Sequence, residues 1–156
     1  MLAVIQRIAR GNVSVDGEVI ASCDGAGLMI LLGVTHGDTE EDAFLLADKI
    51  VKLRIFSDAD DKMNLSVLDV GGGIIAVSQF TLYASYRKGN RPDYMNAAPP
   101  EIAEPLYNAF VERLKTHTER VSCGRFGAHM MLDFVNDGPV TIPMDSAVLR
   151  QPKRDF

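Results

Sequence analysis

Eight residues set the strongest limit on this fold: "GLMILLGV", Gly27 to Val34, is apolar nearly throughout and carries glycine near both ends. The run is too short for a typical helix and has no polar face, so it suits a β-strand covered on both sides. A strand of that kind belongs in the middle of a sheet, with packed layers above and below it. At 156 residues and 47% apolar content, the chain is the size of one domain that can build such layers.

The flanking segments supply the other parts. "LAVIQRIARGNVSVDGEVIAS" alternates as strands do, and Asp16-Gly17 falls between its two halves where a hairpin turn belongs. From Thr39 the period changes, with Ala43, Leu46, Ala47, Ile50, Val51 and Leu53 at helical spacing. Asp38 is the expected cap, and Glu40 and Glu41 suit the first turn. "IIAVSQFTLYA" reads as a strand whose second half turns polar, and "SYRKGNRPDYMNAAPP" as a long loop. A second helix buries Ala103, Leu106, Phe110 and Leu114, with Pro100 and Pro105 placed before it or in its first turn. The remainder reads as two or three strands with turns at Gly124 to Gly127 and Asn136 to Pro139, then a frayed basic tail, "RQPKRDF".

Several chemistries lack their residues. His36, His117 and His129 sit in no catalytic motif, and GxSxG and HExxH are absent. "DADD", Asp58 to Asp61, lacks the glycine and terminal glutamate of an EF-hand, and "GGG", Gly71 to Gly73, forms no phosphate-binding loop. Cys23 and Cys123 fit neither a zinc knuckle nor a CxxC pair and read as reduced thiols. No metal and no cofactor is expected. No run approaches the roughly 18 to 20 apolar residues of a membrane span, and Gln6, Arg7 and Arg10 interrupt the N-terminal segment before a signal-peptide core forms. A cytoplasmic location is the expectation. The net charge of −5 gives no general attraction to nucleic acid, so such a partner needs a local basic patch.

Two polar segments remain. "SQFTLY", Ser78 to Tyr83, ends an otherwise apolar strand. Its hydroxyls either bond to neighbouring strands or form a lip that presents hydroxyl and main-chain N–H groups to a reacting carbonyl. In "NDGPVT", Gly138-Pro139 either makes a turn between two edge strands or holds the main chain rigidly close to another group.

Taken together, "SQFTLYASYRKGNRP", "NAAPP", "GRFGAHM" and "NDGPVT", with "AVIQRI" and "LRIF…DKMNLSVLDVGG", closely resemble the D-aminoacyl-tRNA deacylase family of bacteria and eukaryotes. The likeness runs from Met1 to about Ser146. It implies a deacylase domain over 1–146, a tail over 147–156, and an α/β (α+β) fold with a barrel-like mixed sheet and two main helices, working as a homodimer. It also implies an activity: proofreading hydrolysis of the ester that joins a D-amino acid, or mischarged glycine, to the 3′-terminal adenosine of tRNA.

The same resemblance assigns roles. Ser78, Gln79, Phe80 and Thr81 would surround the ester, with the main-chain N–H groups of Phe80 and Thr81 as oxyanion donors. Thr81 and the substrate's own 2′-OH compete as the activating group; no base accompanies Thr81 in the sequence, which favours the 2′-OH. Gly138 and Pro139 would form a Gly-cisPro filter that enters the partner subunit's site, held by Arg7. Phe126 and Met130 would line an adenine pocket, and Arg87, Lys88 and Arg91 would meet tRNA phosphates. Two rivals stand beside this reading: a sister deacylase of different specificity, which departs from "SQFT" at the Ser and Phe positions, and a non-catalytic RNA-end binding homodimer.

Overall fold

The computed structural model describes residues 1–153. Its frame is β1 (Leu2–Val15), which turns into β2 (Glu18–Cys23) through Asp16 and Gly17, both at positive φ (50° and 80°), the primed geometry that matches strand twist. β3 (Gly27–Gly33) lies antiparallel to β1 and parallel to β6 (Gly73–Ser78), and β7 (Val121–Cys123) continues the parallel side. The path β2-β1-β3-β6-β7 curls until the outer strands meet, with Ser122 Oγ 3.4 Å from the Ser22 carbonyl oxygen. β8 (Met131–Asp145) pairs along β1 and completes a nearly closed barrel. A separate ribbon, β4 (Phe56–Ser57) with β5 (Met63–Leu65), follows the first helix. Asp58 closes the ribbon's acidic turn by accepting the Asp60 and Lys62 N–H groups.

β3 is central, as its continuous apolar run requires. Leu28, Ile30 and Leu32 face the helices, and Met29 faces the barrel interior with Ile8, Val13, Ile75 and Val77. Burying one such side chain contributes about 1.5–3 kcal/mol, so this doubly covered pair of strands anchors the domain. Two main helices, α1 (Glu40–Ile50) and α2 (Pro100–Lys115), cover the outer face, and a single turn, α3 (Ser146–Leu149), follows β8.

Four local expectations change. Thr39, not Asp38, caps α1: Asp42 reaches back to the Thr39 N–H at 2.8 Å, while Asp38 accepts the Thr35 N–H. Pro105 lies in the second turn of α2, on the exposed face, where the Glu101 carbonyl that loses its helical donor can reach water. Asn136 to Pro139 reverses nothing, because the residues before and after it belong to the same strand and both pair with β1. The segment expected to fray is held at its start, where Arg150 Nε meets Asp42 Oδ1 at 3.0 Å; residues 154–156 of the tail lie outside the described part.

One ion cluster joins the helices. Arg113 grips Asp48 through two bonds of 2.9 Å, and His117 Nε2 lies 2.7 Å from Asp48 Oδ1. The Arg113 hydrogen bonds hold the Asp48 carboxyl well below the usual carboxylate range. A lowered folded-state pKa stabilises the fold above the unfolded pKa and is lost as the pH falls through the folded value. Asp48→Asn should therefore melt lower than wild type at pH 7, and the gap should narrow, without closing, as the pH falls from about 4 to about 2. Thermal melts across that range check it.

Candidate active site

β6 is parallel to both neighbours, and the chain leaves such a strand at its carboxyl end, where open α/β sheets place ligand crevices. Its last residue, Ser78, pairs with Leu32, and the next N–H, from Gln79, still reaches the Leu32 carbonyl at 2.8 Å. There the strand stops. Phe80–Tyr83 forms a 3-10 turn, which corrects the expectation that the strand continues through "SQFTLY". The first bond of that turn runs from the Leu82 N–H to the Gln79 carbonyl, so the turn's ladder leaves the N–H groups of Phe80 and Thr81 without a carbonyl partner. The Gln79 side-chain amide bonds to Thr81 Oγ1 and ties the lip to itself.

Beside this lip lies a cleft of about 410 Å³. Ser78, Gln79 and Phe80 form one side, Ala97 to Pro100 another, and Tyr107 and Phe126 the depth. Phe80 stands 58% exposed at the mouth and meets the Tyr94 ring edge-on at 4.9 Å between centroids. The Tyr107 hydroxyl donates to the Ala76 carbonyl at 2.9 Å, and burial pushes its pKa above the usual tyrosine range. It stays a donor and holds the α2 face against β6. The cleft is thus largely apolar, with polar groups gathered along one edge, the general make-up of a small-molecule site.

The structure brings Ser78, Gln79, Phe80 and Phe126 together in this cleft, with Thr81 beside them. It does not bring Met130 there. Met130 packs toward the barrel interior against the group containing Ile8, Met29 and Val77. Arg87, Lys88 and Arg91 are exposed on a loop whose base is closed by reciprocal bonds between Ser85 and Asp93 at 2.8 and 2.9 Å. Tyr94, Tyr107 and the Ala97–Pro100 wall were missed as site residues; a tyrosine on an apolar helix face, which needs a partner for its hydroxyl, was the available signal for Tyr107.

Gly138 and Pro139 are joined by a cis peptide bond and protrude from the β1–β8 ladder, both exposed. Arg7 lies beneath them with its side chain only 13% exposed. Its Nε donates to the Asp137 carbonyl at 3.0 Å, and its NH1 donates to the Ile55 carbonyl at 2.7 Å. Neither Gly138, Pro139 nor Arg7 lines the cleft of its own chain.

Residues 4–145 match the family model described as D-Tyr-tRNA(Tyr) deacylase. The chain belongs to this family. A Chloroflexus aurantiacus protein named D-aminoacyl-tRNA deacylase is 56% identical over 154 residues, which cover 99% of this chain and 96% of the relative. A Thermus aquaticus protein of the same name is 54% identical over 147 residues, 94% and 96% of the two chains. Among solved structures, one titled c-Myc DNA Unwinding Element Binding Protein superposes with a TM-score of 0.87 at 44% identity, over 93% of this chain and 98% of that one. Another, titled as a probable eukaryotic D-amino acid tRNA deacylase, superposes at 0.77 over 92% and 98%. Its 17% identity shows the shared fold alone. The deacylase family model spans both "SQFT" and "NDGPVT", so the lip and the protrusion fall inside the matched region.

Proposed function

We propose that this protein hydrolyses the ester of D-aminoacyl-tRNA, and of tRNA mischarged with glycine, as a cytoplasmic homodimer that leaves L-aminoacyl-tRNA intact. The observation that carries the reading is the apolar cleft at the carboxyl end of β6, edged by Ser78, Gln79 and Phe80 where the 3-10 turn leaves two N–H groups unused, in a chain of the deacylase family. The terminal adenine would enter between Phe126 and Tyr107, and the ester would rest at the lip. Water attacks the carbonyl carbon, the bond to the ribose 3′-oxygen breaks, and free amino acid and tRNA leave. Main-chain N–H donors at the lip would stabilise the oxyanion, and an activated ester needs no stronger nucleophile than an oriented water.

Stereochemical choice falls to Gly138 and Pro139. Main-chain atoms held rigidly where an L-residue's Cβ substituent would lie refuse L-forms whatever the side chain, and glycine passes because it has no Cβ. That Gly138 and Pro139 do not line the cleft of their own chain supports a filter supplied by a second copy. Arg87, Lys88 and Arg91 would guide the acceptor stem through its phosphates without reading sequence.

Purified protein should release D-tyrosine and glycine from their tRNA esters and spare L-tyrosine. An inert protein at concentrations far above trace would defeat the proposal. The structural neighbour with a DNA-binding name favours a second reading, attachment to nucleic acid without hydrolysis. The net charge of −5 works against broad phosphate contact, and tight DNA binding by a protein inert on D-Tyr-tRNA would establish that reading instead.

A further inference from the structure

We propose that Asn136 is a positioning residue, the brace that fixes how far and at what angle the Gly138-Pro139 protrusion stands out from the sheet. The inference rests on the filter role given to that protrusion above. In the β1–β8 ladder Ile8 faces Asn136 and Gln6 faces Thr141, so Arg7 alone stands opposite the four residues Asp137 to Val140. Those four have no ladder partners, and their course depends on side chains.

The two arms of the protrusion are held separately. Arg7 takes the outgoing arm through the Asp137 carbonyl at 3.0 Å. Asn136 takes the returning arm: its Oδ1 accepts the Val140 N–H at 3.0 Å, and its Nδ2 donates to Thr141 Oγ1 at 3.1 Å. Gln6 Nε2 approaches the same Thr141 oxygen at 3.3 Å, so the hydroxyl is shared between β1 and the neck of the protrusion. Only an amide of this length offers an acceptor to Val140 and a donor to Thr141 at once. Without that clasp, the Val140 main chain is tied by neither the ladder nor Arg7 and the arm keeps only the packing of the Val140 side chain against the core, so a wall meant to reject a Cβ substituent loses its fixed distance.

The test compares wild type, Asn136→Ala, Asn136→Asp, Thr141→Val and Pro139→Ala on D-Tyr-tRNA and L-Tyr-tRNA, with amide hydrogen exchange at Val140. Asn136→Ala should lower the D-over-L ratio of kcat/KM by about tenfold and speed Val140 exchange by about as much. Asn136→Asp keeps the acceptor for Val140 and should recover most of the ratio. Thr141→Val fills the same space without the shared oxygen and should weaken selectivity in the same direction, which preserves the test if Asn136→Ala fails to fold. A D-over-L ratio unchanged in both Asn136→Ala and Thr141→Val, or D and L rates that fall equally, would overturn the inference. A wild-type preference that Pro139→Ala weakens and Asn136→Ala leaves intact would defeat this inference alone. A wild type that hydrolyses neither ester would defeat the proposed function beneath it.

Discussion

Replacing the 2′-hydroxyl of the terminal adenosine with hydrogen is expected to slow hydrolysis of D-Tyr-tRNA by about 10²- to 10⁴-fold, the range that a positioned proton-transfer group contributes. The argument starts from what the lip lacks. None of the three histidines lines the cleft, and the side chain nearest Thr81 Oγ1 is the Gln79 amide, which donates a hydrogen bond and cannot accept a proton. The Tyr107 hydroxyl is spent on the Ala76 carbonyl and, with its pKa raised by burial, is no base. On the proposed function, the group left to handle the proton would be on the substrate. Thr81→Ala should keep the rate to within about tenfold, because the main-chain N–H survives and only the Gln79 tie is lost. Single-turnover rates on the deoxy and ribo substrates decide the matter. A deoxy substrate cleaved at the normal rate, with Thr81→Ala inert, would transfer the chemistry to the threonine.

The second large effect is on stability. A Cβ on Gly27 would lie 2.7 Å from Cys23 Sγ and closer still to the main chain of Gly73, across the β3–β6 pairing that centres the sheet. Backbone held in a ladder cannot step aside as a side-chain tip can, so Gly27→Ala should destabilise by about 3 kcal/mol. The melting temperature should fall by about 10 °C for a domain of this size. Gly25→Ala, two residues away, places its methyl in open space and should stay within about 0.5 kcal/mol of wild type. Circular-dichroism melts of the two variants side by side check the contrast, and equal melting temperatures would contradict it.

Much of the scaffold was legible before any coordinates. The apolar run at Gly27, the Asp16-Gly17 turn and the helical spacing from Ala43 to Ile50 are local signals, and the structure follows each of them. What escaped were features decided by partners distant in the chain. β6 could not be seen to end at Ser78, because the turn that follows is set where Gly33 and Leu32 press against it. Asn136 to Pro139 carries strong turn residues, yet β1 pairs on both sides of it and converts a reversal into a bulge. Met130 suits an adenine contact by chemistry, but the close approach of Gly124 and the barrel interior claims its side chain. Tyr107 reads as one more core residue until the Ala76 carbonyl shows where its hydroxyl goes.

β1 pairs with β2, β3 and β8, and its bond to β8 joins Leu2 to Asp145. During synthesis the first strand made must wait for nearly the whole chain before its last edge is covered, a closure of high contact order. Residues 2–123 can assemble the parallel strands and both main helices while one edge of β1 remains open to any passing strand. Gly138-Pro139 arrives with the segment that seals this edge. A nascent chain therefore carries every cleft residue, through Gly127, before it carries the protrusion, and on the proposed function the filter would be the last part of the site to be supplied.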